Sequence, residues 1–501
     1  MSARSDQQFD VVVVGAGPGG STLAAVVAMR GHRVLVLESE RFPRYQIGES
    51  LLPPTVHGVC RLIGVADELA HAGFVRKRGG TFKWGANPEP WTFAFSVSPR
   101  MAGPTSFAYQ VERMKFDQIL LDNARRAGAE VREECVVTGV CEEAGRVTGV
   151  RYTDVGGAEH TVSARYVVDA SGNRSRIYKS VGGCRKYSDF FRNIAIFGYF
   201  ENGKRLPEPD SGNILCSAFD SGWFWYIPLS AKVTSVGAVV HKELASKVQG
   251  DPDGMLHALI AECPLIAEYL SGATRITQGE YGRIRVRKDY SYHQTKFWRP
   301  GFVLIGDAAC FVDPIFSSGV HLATYSGLLA GRSINSYIDG LVDEDTAFRE
   351  FEARYRREYG VFYKYLMSFY VMHAKEDSYF WEAKKITGSV LSEMEAFVDL
   401  VGGLSSGEFD LAGSEIAKRV SSESAEFERA VRQQASNRNE TMLPLMRSSI
   451  VRQTMLEGEA LLAKAQLAGE GDDEELPLFV NGLLSSPDGL CWVPVPSGDR
   501  D

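Results

Sequence analysis

Residues Val11 to Gly20 read VVVVGAGPGG, four β-branched residues running straight into Gly15, Gly17 and Gly20 at G-x-G-x-x-G spacing. Such a run belongs in a buried strand, and the glycines that follow permit a tight turn, a close backbone approach to a phosphate and close packing of the next helix. Gly19 to Gly31 reads as that helix, with alanine, leucine and valine on one face, and Val34 to Leu37 as a second apolar strand. Glu38 ends this strand about 20 residues beyond the glycines, where an acid can bond ribose hydroxyls. Strand, turn, helix, strand and acid in this order predict a Rossmann-type unit binding a dinucleotide. The pyrophosphate would lie at the helix N-terminus, where free N–H groups and the helix dipole favour an anion. Pro18, Gly19 and Ser21 in the first turn join Gly15, Gly17, Gly20 and Glu38 as candidate cofactor contacts.

The chain has 501 residues, too many for one compact core, so more than one structural unit is expected. A net charge of -8 argues against a nucleic-acid binder, which would normally present a basic face. No stretch is apolar for the roughly 18 to 20 residues of a membrane span, and the polar start predicts no signal peptide. The eight cysteines and nine histidines are dispersed without CxxC, HxxxH or HExxH spacing. They read as reduced thiols and structural imidazoles of a cytoplasmic protein, with no metal site.

Phe116 to Ala127 reads as an amphipathic helix, Glu130 to Val137 as a strand, and Val147 to Tyr152 with Thr161 to Val168 as a meander ending at Asp169. Ile194 to Val240 alternates apolar and polar residues and is rich in aromatics, predicting a mixed or antiparallel sheet able to carry a substrate. Gly301 to Ile305 is a further buried strand leading to a helix near His321 to Ile338. The expected fold class is α/β. Residues 1–340 form a nucleotide-binding core, with a substrate sheet inserted at about 80–110 and 185–295, and 341–501 form a helical C-terminal region. Aromatics at helical spacing in Phe348 to Tyr370 read as core, Gly469 to Glu475 as an acidic linker, and the tail with Trp492 as a segment able to pack back on the body.

Three further segments decide the nucleotide. Gln110 to Leu120 (QVERMKFDQIL, with Arg113), Tyr166 to Gly172 (YVVDASG) and Val303 to Ala309 (VLIGDAA, with Asp307) resemble, in order, the FAD fingerprints of the aromatic hydroxylase superfamily. The resemblance implies FAD, with Asp307 on the ribityl chain and Arg113 near the flavin.

Within that superfamily, the chain resembles flavin-dependent halogenases. Trp223 to Pro228 (WFWYIP) matches W-x-W-x-I-P, Gly79 to Gly85 reads GGTFKWG, and Phe311 to Gly319 (FVDPIFSSG) matches F-x-x-P-x-x-S-x-G. Arg41 to Pro53 (RFPRYQIGESLLP) resembles the loop under the flavin in these enzymes, making Arg44, Ile47 and Gly48 cofactor candidates; Glu49 reads either as a site carboxylate or as the brace of an arginine. The resemblance implies that reduced FAD, supplied by a separate reductase, meets O2 and chloride, and that HOCl results. Pro314 and Gly319 would face the isoalloxazine, and the N–H groups of Ser318 and Gly319 would hold chloride. Trp223 and Trp225 would bar the organic substrate from the flavin. Lys83 would receive the electrophile and pass it to an aromatic ring. Tryptophan halogenases usually carry a glutamate where this chain has Phe316. That departure points to an electron-rich phenol of a secondary-metabolite pathway, free or tethered to an acyl or peptidyl carrier protein. Asp289, in RKDYSY, is the candidate for a covalent flavin link. The alternatives are an aromatic hydroxylase, an isoprenoid reductase, or a flavin-binding regulatory protein without turnover.

Overall fold

The computed structural model describes residues 8–85, 89–97, 103–188, 190–371 and 482–494. Its centre is an eight-stranded sheet. The strand Gln8–Val14 lies between Val34–Leu37 and Glu159–Asp169, parallel to both, with Glu130–Arg132 beyond one and Phe302–Leu304 beyond the other. The valines are fully or almost fully buried, because helices cover the faces of the sheet. One cover is the helix Pro18–Met29, buried along nearly its whole length. It is apolar all round because a second helix, Ser318–Ile338, packs on its outer side. Small residues set that approach: a Cβ on Gly327 would fall 2.5 Å from the Gly19 carbonyl oxygen, and one on Gly331 would fall 2.8 Å from Val26.

A second eight-stranded sheet carries the other functional segments. Its order runs Thr274–Arg275, Asn193–Glu201, Val233–His241, Gly222–Pro228, Ile214–Phe219, Gly79–Lys83, Trp91–Ala94, with Arg285–Lys288 also paired to Asn193–Glu201. Strand alternation divides its side chains. Phe82, Cys216, Trp223, Trp225 and Val239 join the main core of the molecule. Leu215, Phe219, Phe224, Tyr226 and Val236 form a separate core under the helices Pro252–Glu262 and Pro264–Tyr269.

Some boundaries differ from expectation. The strand read as Glu130 to Val137 is two strands, Glu130–Arg132 in the nucleotide sheet and Val136–Glu143 in an antiparallel hairpin, separated at Glu134 by a left-handed residue with φ of 58°. The helix read from Phe116 starts at Arg113. The aromatic run near the C-terminus lies in the helix Glu344–Val371, where Phe348, Phe351, Tyr355, Phe362 and Phe369 are core residues. The rest of the expected helical region, with its acidic linker, falls outside the described residues. Beyond it the hairpin Leu483–Ser485 and Trp492–Pro494 returns to the body. Trp492 is fully buried there, its indole N–H donating to Ser333 Oγ at 2.9 Å.

Candidate active site

The glycine turn leaves no room for side chains where the strands end. Gly15 has a φ of +101°, and a Cβ on it would sit 2.6 Å from the Ala170 oxygen; one on Gly20 would sit 2.0 Å from the Gly15 oxygen. Gly17 is different. Among the described residues only Arg44 Nη2, at 3.5 Å, comes within reach of its missing Cβ, so the space at the helix N-terminus is open to a phosphate. Pro18 occupies the first helical position, where no intrahelical N–H is lost. Gly19 faces Ala323 of the covering helix, and Ser21 donates to the Ala16 carbonyl at 2.9 Å. These two expected contacts therefore build the cradle, and the Ser21 N–H is itself taken by the Gly17 carbonyl at 2.9 Å. Glu38 is buried and accepts the N–H groups of Ala16 at 2.7 Å and Glu40 at 2.9 Å, pinning the glycine turn to the end of the second strand.

Two arginines close on one aspartate that the sequence reading did not single out. Asp117 takes Arg113 Nε at 2.8 Å, Arg113 Nη2 at 2.9 Å and Arg44 Nη1 at 2.7 Å. Burial alone would raise its pKa, but the two guanidinium groups hold it below the usual carboxylate range. The only early sign was its helical spacing, four residues after Arg113. Arg113 also donates through Nη1 to the carbonyls of Ile47 at 2.6 Å and Gly48 at 3.2 Å, fixing the loop 41–53. Asp307, in the turn after Phe302–Leu304, is pushed up to about 6 by burial, against the pull of Arg113. Open space over Gly17, a fixed loop and an acid near Arg113 suit the phosphates and polyol of FAD.

The same loop leads to a buried amine. Lys77 is 1% exposed; its Nζ donates to the Leu51 carbonyl at 3.0 Å and to Ser317 Oγ at 3.3 Å, with the Phe95 ring 5.7 Å away. Burial pushes this amine down to about 7. Ser317, with a left-handed φ of 60°, stands just before the helix Ser318–Ile338 without a side-chain capping bond to it. The first N–H groups of that helix, including those of Ser318 and Gly319, have no intrahelical partner, and Ser318 Oγ is buried with no hydrogen-bond partner among the described residues. Pro314 turns the loop, its carbonyl accepting Ser317 N–H at 3.1 Å. A helix N-terminus, a lone buried hydroxyl and an amine thus converge on the segment 314–319.

Lys83 is not part of that cluster. In the register of Gly79–Lys83 with Ile214–Phe219 it stands opposite Ser217, while its neighbour Phe82 stands opposite Cys216. It therefore faces the helices Pro252–Glu262 and Pro264–Tyr269, on the other side of the sheet from Phe82, Trp223 and Trp225. Of the two lysines flanking Gly79-Gly80, the one buried on the core side is Lys77, which the sequence reading did not single out. The overlooked signal was strand alternation in Val75–Lys77, where Arg76 points outward and Lys77 inward.

Trp223 and Trp225 share a face, their rings 6.1 Å apart and both buried. Each indole N–H is satisfied: Trp225 by Ser235 Oγ at 3.2 Å, Trp223 by the Tyr370 hydroxyl at 2.6 Å. That hydroxyl donates in turn to Asp313 Oδ1 at 2.8 Å, tying the tryptophan strand to the segment 311–319. Phe316 lies among Phe82 and Phe369, so an aromatic wall stands where an acid was absent from the motif. Asp289, the candidate for a flavin link, is exposed at a left-handed turn after Arg285–Lys288. Among the described residues no cluster of acids, histidines or cysteines suits a metal ion, and no helix is long and apolar enough to cross a membrane.

Fold and site together define an FAD-dependent oxidoreductase. The sequence model of the tryptophan halogenase family matches residues 10–104 and 97–435. A tryptophan 2-halogenase of Chondromyces crocatus is 33% identical over 82% of this chain and 78% of its own. The flavin-dependent halogenase gsfI of Penicillium aethiopicum is 36% identical over 72% and 71%. Among solved structures, the myxobacterial chondrochloren halogenase CndH, described as a variant of FAD-dependent halogenases, is 50% identical with a TM-score of 0.77, over 97% of this chain and all of that one. The halogenase CmlS is 34% identical with a TM-score of 0.69, over 77% and 69%. The chain belongs to the tryptophan halogenase family and is a flavin-dependent halogenase.

Proposed function

We propose that the chain oxidises chloride to HOCl with reduced FAD and O2, and chlorinates an electron-rich phenolic natural-product precursor through Lys77. Bound FAD supplies the electrons and the oxygen activation; the chain's own residues position, exclude and transfer. Gly15, Gly17, Gly20, Arg44, Arg113 and Asp307 hold the cofactor. The N–H groups of Ser318 and Gly319 hold the halide, since consecutive amides at a helix start make an anion nest. Trp223 and Trp225 keep the organic substrate apart from the flavin. The Lys77 side chain meets the oxidised halogen and presents it to the ring.

The observation that carries this reading is the Lys77 amine, held within hydrogen-bonding distance of Ser317 at the opening of the halide helix. With a pKa near neutrality it is available both as an ammonium that polarises HOCl and as an amine that accepts chlorine. The aromatic wall of Phe82, Phe316 and Phe369 offers no carboxylate to assist the ring, which favours a phenol, whose own oxygen activates its ortho carbons.

Reconstitution with FAD, a separate flavin reductase, NADH, chloride and phenols, offered free and as carrier-protein thioesters, tests the proposal by the chlorine isotope pattern of the product. Lys77→Ala is expected to lower chlorination at least about 100-fold while flavin binding persists, and Lys83→Ala to leave it within about twofold; magnitudes of this order are usual for a group acting directly on a reacting atom. The reverse ranking would return the role to Lys83. Oxygen insertion without need of halide would identify a hydroxylase.

A further inference from the structure

The loop 41–53 carries a second buried ionisable group, and it is connected to the surface. Glu49 is 2% exposed. Its Oε1 accepts the Tyr199 hydroxyl at 2.7 Å, and Tyr199, fully buried, shares a 2.6 Å hydrogen bond with the hydroxyl of Tyr45. Tyr45 is half-buried and lines a cleft of about 420 Å³ together with Ser39, Arg41, Arg44 and Glu280. The guanidinium of Arg285 lies 3.5 Å over its ring and holds it at the cleft. At the inner end, Glu49 Oε2 is buried without a hydrogen bond of ordinary geometry among the described residues. Ser235, the residue that takes the Trp225 indole N–H, lies beside the same carboxyl.

We propose that Glu49, Tyr199 and Tyr45 form a proton wire that feeds the halide-oxidising half-reaction from the cleft. The inference rests on the halogenase reading. Its balance is FADH2 + O2 + Cl⁻ + H⁺ → FAD + HOCl + H2O, so each turn draws one proton beyond those the reduced flavin brings. The Glu49 carboxyl gives up that proton and is left as a carboxylate. It regains one when Tyr199 passes its hydroxyl proton to Oε1, Tyr45 passes its own to Tyr199, and Tyr45 is reprotonated from the cleft.

An acid can act this way only if it holds its proton near the working pH. Burial is the main cause of the rise of Glu49 to about 7, and Glu112 adds to it; Ser235, Tyr199 and Arg113 act against it. The phenols themselves are held above the ordinary tyrosine range, chiefly by burial, with Glu49 adding to the rise. Arg285 and Arg287 pull Tyr45 the other way. Tyr281, packed on both Tyr45 and Tyr199, is itself raised and donates to Glu112. The phenols therefore relay protons as neutral hydroxyls and do not ionise on their own.

Infrared titration of the FAD-bound protein in its oxidised state tests the acid without turnover. A protonated-carboxyl band that titrates near pH 7, disappears in Glu49→Gln and shifts in Tyr199→Phe is expected; no such band overturns the wire. Trapping of oxidised halide by a diketone is the second arm. Tyr45→Phe and Tyr199→Phe each break the relay with their rings kept, and each is expected to slow trapping on the order of 100-fold with flavin affinity unchanged. Wild-type rates and pH profiles in both variants would also overturn it. A wild-type protein that traps no halide would instead refute the halogenase reading, and the proposed role of the wire would fall with it.

Discussion

Lys77 gives up its water shell for one carbonyl and one hydroxyl, and among the described residues no carboxylate pairs with it. Its folded-state pKa, about 7, lies below the ordinary 10.5. Between those values the unfolded chain binds a proton that the folded chain does not, so this group destabilises the fold at neutral pH and progressively less as pH rises towards 10.5. Lys77→Met is therefore expected to stabilise the protein by up to roughly 4 kcal/mol at pH 7 and about half that at pH 9. Chemical denaturation at the two pH values checks this, and equal gains at both would refute the burial argument. Little of this was legible in the chain. Two lysines flank the glycine pair, and the motif alone does not say which one turns inward. That was decided by the pairing of Gly79–Lys83 with a strand more than 130 residues away. Asp117 was equally hidden, because its second partner, Arg44, comes from a different loop.

Elements whose pattern is local were legible. Valines into glycines gave the first strand and the turn, and Val34–Leu37 was read to the residue. The alternation of aromatics from Ile194 to Val240 announced a sheet, although not which face would meet which core. Gly237 shows how closely such a sheet is fitted: a Cβ there would fall 2.2 Å from the ring of Trp225 on the neighbouring strand. Gly237→Ala is expected to cost about 1–3 kcal/mol by overpacking and to alter tryptophan fluorescence as that ring is displaced. An unchanged melting temperature and spectrum would mean that the ring has room to move. The Asp313–Tyr370–Trp223 chain joins three separate elements. Tyr370→Phe keeps the ring but leaves the Trp223 N–H without its acceptor, and is expected to cost about 1–3 kcal/mol for an unsatisfied buried donor.

At the scale of the whole molecule, residues distant in sequence close the structure. Trp492 belongs to the hairpin that returns to Ser318–Ile338, and Arg332 and Arg354 both face its ring. Trp492→Ala is expected to destabilise by about 3–5 kcal/mol, and thermal unfolding measures it. A loss under about 1 kcal/mol would show that the hairpin is not integral to the fold. The tail's return was legible from its apolar patches and Trp492, but its docking site was not, because nothing local in those residues names Ser333. Lys77 and Glu49 flank the same short loop, and their effects on the pH profile run in opposite directions. Glu49, raised from 4.5 to about 7, stabilises most in acid and ceases to help by neutrality; the penalty from Lys77 fades only in alkali. Their sum is a trough centred near pH 7. Near neutrality, then, these two side chains give the loop 41–53 its least support, and replacing both by neutral isosteres flattens that part of the profile.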